Sequence, residues 1–340
     1  GSTAPGASLW RSAADVWGGP GLGSETIWSP ALGLLAAATT VVENLPFADP
    51  PAAPAAATMA AILFLTLPLA ALTMYAGLAV VTPRRSIRAL GGVAWAATGL
   101  ASDTISQGRI GGAVVLVVLP LAAAALVRAL GPRGRSYDTA QAGLALALIG
   151  AFAPPVAGFV VVIGVLVGLL PGWSFVRALG AAVVPGIVLL PFVRALVREP
   201  QAALGGVGLF DWAGQIPSAW RLALLDVAAP DTEGLPSVLA TAAPFLAVPL
   251  LALALLGVLR GRHLFASLTA VIAAGLALAG AVVTSRLVVD VVPVGTTGAG
   301  EAIRPWAGAL LTVYALIVVA LAVRGLDLIA RIGLRRRVAR

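Results

Sequence analysis

The hydrophobic positions of this chain come in long unbroken blocks, separated by short segments in which arginine, proline and glycine gather. The blocks are rich in Ala, Leu and Val and lack the every-second-residue alternation of barrel strands, so in hydrocarbon only helices satisfy their backbone groups. Taking each block between arginine clusters as one element predicts spans at 59–81, 89–101, 112–130, 141–153, 155–170, 178–194, 241–259, 264–284 and 306–323. The expected fold is an all-α, polytopic transmembrane bundle of about nine spans. Residues 31–42 are apolar but too short for a bilayer core of about 30 Å. The prolines of 46–57 oppose a helix and predict a linker.

One boundary is ambiguous from periodicity alone, because 141–170 reads either as two short helices or as one helix kinked at Pro154-Pro155. Charge decides it. With the break kept, Arg84/Arg85/Arg88, Arg128/Arg133/Arg135, Arg177, Arg260/Arg262 and the run from Arg324 to Arg340 all fall on one side, which the positive-inside rule makes cytoplasmic. The N-terminus is then outside and the C-terminus inside. Most carboxylates, which did not enter the assignment, sort to the outer side. Three regions follow: an external segment 1–57, a helical domain 58–323 with external loops 195–240 and 285–305, and a basic tail 324–340. The tail carries Asp327 and Arg331 at i,i+4 and an apolar face, the pattern of an interfacial helix on anionic lipid.

Composition narrows the function. At 60% hydrophobic and 11% charged residues, the chain belongs in a lipid bilayer. The formal charge of +8 is carried by arginine beside spans, so it reads as membrane orientation and excludes nucleic acid as a partner. There is no cysteine and only one histidine, His263 in a cytoplasmic turn, which leaves no thiolate or multi-histidine metal site. Phosphate-loop and dinucleotide motifs are absent as well, so no cofactor and no metal are expected. Gly164 and Gly168 form a GxxxG whose expected role is close helix packing. An external N-terminus without a leader predicts at least one earlier span upstream of Gly1. The expected location is the plasma membrane, multi-pass.

Candidate chemistry lies at the outer ends of the spans, where charges are costly unless solvated, paired or functional. Asp15 and Glu25, in the Gly/Pro-rich stretch from Trp10 to Pro30, are either general bases for a sugar hydroxyl or solvated loop carboxylates. Asp103 and Arg109 share the short loop ASDTISQGRI, Arg286 follows the eighth span, and Arg304 precedes the ninth. An arginine there either holds a phosphate through paired N–H donors or makes a local ion pair or headgroup contact. Asp211 and Trp212 belong to the second external loop, where Ser218 is positioned to cap a short helix carrying Trp220. Trp306 sits where an aromatic belt residue is expected.

Several short motifs resemble the membrane region of large actinobacterial proteins of glycosyltransferase family 2: Trp10-Arg11, Trp17, Gly21-Leu22-Gly23 and Pro30, then Leu67-Pro68-Leu69, Ala94-Trp95, Gln107-Gly108-Arg109-Ile110-Gly111, Ala151-Phe152-Ala153-Pro154, Leu189-Leu190-Pro191-Phe192 and Arg304-Pro305-Trp306-Ala307-Gly308. In organisation the chain also resembles integral-membrane (GT-C) glycosyltransferases. That resemblance implies a polyprenyl-phosphate-linked sugar as donor, a cell-envelope glycan as acceptor and transfer at the external face. It makes Asp15, Glu25 and Asp103 catalytic candidates, and Arg109, Arg286, Arg304, Asp211 and Trp212 substrate-binding candidates. The paired-acid motif of that class is not present. The alternative implied by the same resemblance is a non-catalytic anchor or lipid-linked-sugar conduit serving an upstream cytoplasmic family 2 domain.

Overall fold

Proline and glycine, more than charge, set the helix boundaries. Pro30, Pro54 and Pro154 each stand in the first turn of a helix, where the missing N–H is one the helix would leave unbonded anyway. The computed structural model describes residues 6–14, 17–18, 24–25, 29–45, 53–102, 104–198, 204, 206, 210–211, 216–227, 245, 247–259, 264–291 and 299–338, with 13–14, 17–18, 24–25, 101, 210–211, 264 and 333–338 described by their backbone.

The helices are α1 (Gly6–Ala14), α2 (Pro30–Glu43), α3 (Pro54–Gly77), α4 (Arg85–Ala101), α5 (Ile110–Leu130), α6 (Ser136–Phe152) and α7 (Pro154–Gly168). They continue with α8 (Phe175–Val188), α9 (Leu190–Arg198), the single turn α10 (Ala219–Ala223), α11 (Val248–Leu259), α12 (Leu264–Thr284) and α13 (Gly308–Val338). Among the described residues, a 3-10 turn, Leu78–Val80, follows α3, and there are short strands: β1 (Trp17–Gly18) pairs with β2 (Ser24–Glu25), while β5 (Ala302–Pro305) lies between β3 (Phe210–Asp211) and β4 (Asp290–Val291).

Four of these segments are long and apolar enough to cross a membrane: Pro54–Val80, Ile110–Leu130, Phe265–Thr284 and Gly308–Ile332. A fifth joins them if the bent pair α8–α9 counts as one span. Their surfaces fit lipid: Phe64 is 82% exposed and Val176 77%, far from what a water-soluble surface tolerates in a contiguous patch. α5 and α13 are largely buried and form the centre, whereas α3 and α12 are mostly exposed at the periphery. The all-α membrane architecture expected from the sequence is thus present, in coarser form than nine full-length spans.

Three boundaries differ from the sequence reading. The block 178–194 is two helices, broken at Leu189 and bent by 86°, since Pro185 and Pro191 both weaken the ladder around the break. Pro54 starts α3 instead of ending a linker, because proline at a first helical position is favourable. The last span and the tail are one 31-residue helix, as nothing between Val323 and Arg324 stops the ladder. Within 241–259, the described helix is α11, Val248–Leu259. The break at Pro154-Pro155 is present, with Ala153 non-helical at φ −144°.

Packing relies on missing side chains. Gly164 and Gly168 meet Leu126 and Ala178, so the GxxxG does serve close approach. The tightest crossing is elsewhere: Gly257 of α11 and Gly325 of α13 face each other, each against the partner helix's backbone. Arginines close the opposite end from Trp306. Asp327, buried, accepts from Thr82 Oγ1 at 3.1 Å and pairs with Arg84 at 3.4 Å and Arg331 at 2.7 Å. Arg177 donates to the carbonyls of Ala129 and Gly131 at 3.3 and 2.9 Å, and Arg128 pairs with Asp138 at 3.0 Å.

Candidate functional site

At the start of α5, three chain segments far apart in sequence meet. The turn 104–109 is closed by the Arg109 N–H donating to the Thr104 carbonyl at 2.9 Å, and Gly108, at φ +63°, supplies the left-handed residue that the turn needs. Arg109 then becomes the N-cap of α5, 5% exposed, with its guanidinium 4.8 Å from the Trp306 ring. Its Nε donates to Gln107 Oε1 at 2.8 Å, and its Nη2 is bonded to the same oxygen. A cation at a helix N-terminus opposes the helix dipole, and the stacking on Trp306 and the bonds to Gln107 are among the contacts that offset this.

Trp306 is not a belt residue. It is 2% exposed, and the space for its ring comes from two glycines: a Cβ on Gly112 would lie 2.9 Å from the ring, and one on Gly308 would overlap it. Among the described residues, Trp306 Nε1 and Arg304 Nε are buried without a hydrogen-bond partner. Such donors are rare, because each forfeits about 1–3 kcal/mol of solvation with no bond in return.

The strand pairing fixes which loops share this site. β3 and β5 are antiparallel with Asp211 opposite Arg304, and β4 and β5 with Asp290 opposite Ile303. The stretches around 211, 290 and 304 therefore lie side by side above Trp306. Beneath them, Ser102 and Thr104 share a hydrogen bond of 2.7 Å. A small crevice is lined by Thr98, Ser102, Leu225, Leu311, Thr312 and Ala315. Its roof is the turn after α10, where Leu225 takes φ 63° and the Arg221–Asp226 pair closes at 2.7 Å. Tyr314 donates its hydroxyl to the Ala223 carbonyl at 3.0 Å and ties that turn to α13.

Of the expected site residues, Arg109 stacks on Trp306, and Arg304, two residues before that tryptophan, lies opposite Asp211 in the strand register. Arg286 is exposed just past α12, with no side-chain bond or ion pair among the described residues. Glu25 is described by its backbone, opposite Trp17 on the β1–β2 hairpin. Asp15, Asp103 and Trp212 lie outside the described residues. Ser218 is the N-cap of α10, but its hydroxyl makes no capping bond. Among the described residues, no group of three or more His, Cys, Asp or Glu is arranged to hold a metal. What the sequence reading missed is the burial of Trp306; its signal was the glycine two residues on, which leaves room for a folded-back ring. Arg304 Nε and Trp306 Nε1 are donors of the kind that bond a phosphate or sugar oxygen.

Comparison with known proteins gives no family model, no curated protein and no solved structure that matches this chain.

Proposed function

We propose that this chain is the membrane portion of a glycosyltransferase of cell-envelope glycan synthesis, seated in the plasma membrane with the Trp306 end outside. There it receives a polyprenyl-phosphate-linked sugar. The observation that carries the proposal is the pair of orphaned donors, Arg304 Nε and Trp306 Nε1, the second on the ring over which Arg109 stacks. A phosphodiester or a sugar hydroxyl supplies the acceptors they lack, and the hydroxyls of Ser102, Thr104 and Thr312 continue a polar path below. The clustering of arginines at the opposite end supports the orientation. If transfer takes place on this chain, Asp15, Glu25 or Asp103 is its general base.

The test is binding of a polyprenyl-phosphate sugar to the purified protein in nanodiscs. Trp306→Phe, which keeps the ring and removes the N–H, is expected to weaken binding about three- to tenfold, and Arg304→Gln about tenfold or more. Unchanged affinity in both variants refutes the site.

A second reading, the non-catalytic conduit or anchor for an upstream family 2 domain, is favoured by one observation. Asp226, the buried carboxylate described at this end, is neutralised by Arg221 and is poorly suited to act as a base. Full transfer by Asp15→Asn, Glu25→Gln and Asp103→Asn variants selects that reading, because the chemistry then lies on another domain.

A further inference from the structure

The short helix α9 leaves the axis of α8 at 86°, so it lies across the direction of the helix that precedes it. Its nine residues have three distinct faces at about 100° per residue. Phe192 and Leu196 pack against the bundle beside Ile110 and Phe152, which puts α9 at the Arg109 end. Leu190, Val193 and Val197 form a stripe that is 61%, 36% and 75% exposed. Arg194 and Arg198, one turn apart and both exposed, occupy the side turned away from Phe192, and neither makes an ion pair or side-chain hydrogen bond among the described residues.

We propose that α9 is a membrane-surface helix whose arginine edge binds the phosphodiesters of anionic phospholipid in the leaflet at the Arg109 end. The stripe and the charges suit one occupant. Three apolar side chains of the exposed stripe sink into the acyl boundary, while two guanidinium groups a turn apart sit level with headgroup phosphates and bond them through paired N–H donors. Water would leave the stripe unsatisfied, and a purely zwitterionic surface would give the arginines less attraction. The proposal does not depend on the glycosyltransferase reading, since it uses neither Arg304 nor Trp306.

The chain lacks cysteine, so Val197→Cys carries a single nitroxide on the full-length protein in nanodiscs. In phosphatidylcholine mixed with phosphatidylglycerol, the label should relax with dissolved oxygen and be shielded from a water-soluble nickel chelate. Native mass spectrometry should show phosphatidylglycerol retained over phosphatidylcholine. That preference should fall about tenfold in the Arg194→Gln/Arg198→Gln variant, discounted from about 1 kcal/mol per arginine at an anionic surface. Both substitutions are at exposed positions, and an unchanged unfolding midpoint will verify that the variant is folded. Three results overturn the proposal: a label open to the nickel chelate, a lipid preference indifferent to the double variant, or dipolar broadening between labels, which would make the face a contact between copies.

Discussion

A methyl group added at the α11–α13 crossing should separate those two helices. A Cβ on Gly325 would lie 3.1 Å from the Leu253 carbonyl carbon and 3.2 Å from Gly257 N, and would overlap the Leu253 oxygen; one on Gly257 would lie 3.0 Å from Gly325 N. These are backbone atoms, so no rotamer change relieves the clash. Normal carbon contacts need about 3.5–4.0 Å, so the helices must part by about 1 Å, which forfeits up to half of a well of about 0.1–0.2 kcal/mol at each atom pair. For about forty contacting pairs the loss is about 2 kcal/mol. In lipid no hydrophobic term between the helices compensates, since packing itself holds them together. The better helix propensity of alanine returns up to about 1 kcal/mol, for a net loss of about 1–2 kcal/mol in Gly257→Ala or Gly325→Ala. Gly186 and Gly275, with nothing near an added Cβ, are the matched controls and should be neutral or slightly stabilised as alanine. Unfolding in detergent micelles measures all four, and the double variant should cost less than the sum, because one separation accommodates both methyls. If the crossing variants unfold no more easily than the controls, close packing there contributes nothing and the reasoning is wrong.

Gly112→Ala should destabilise by about 1–3 kcal/mol, because its Cβ meets Trp306 at 2.9 Å and Thr104 Cγ2 at 2.8 Å; the loss should shrink in a Trp306→Leu background, read by the same unfolding assay. Asp327→Ala should cost about 1–2 kcal/mol, below the usual figure for a broken buried pair because Arg84 and Arg331 are 28% and 57% exposed. Asp327→Asn, which keeps an acceptor for Thr82, should cost less. The Arg128 hydrogen bond, then the Arg135 backbone N–H, hold the Asp138 pKa below the ordinary 3.8. A depressed carboxylate stabilises fully above its unfolded value and loses that contribution as pH falls through its folded value. The stability gap between wild type and Asp138→Asn should therefore be constant from neutral pH to about 4 and close on further acidification; a gap that widens in acid contradicts the assignment.

Membrane residence and the helical class were legible in the sequence from local chemistry, and the break at Pro154-Pro155 from where the arginines fall. Blocks of Ala, Leu and Val with no strand alternation satisfy their backbones in lipid as helices, and Ala153, before Pro154-Pro155, is disfavoured in the helical region. Arg109 and Arg304 were legible as candidates for the same reason, being charges at the ends of apolar blocks. Tertiary structure alone decided what those charges meet. Trp306 reads as a surface aromatic in sequence and becomes a buried platform only because Gly112 and Gly308 leave it room. The pairing of 210–211 and 290–291 with 302–305 joins segments that no local pattern connects. The bend between α8 and α9 was likewise out of reach, since an apolar block carries no record of direction. Burial, register and crossing depend on contacts between residues distant in the chain, whereas hydropathy and helix breaking act within a turn or two.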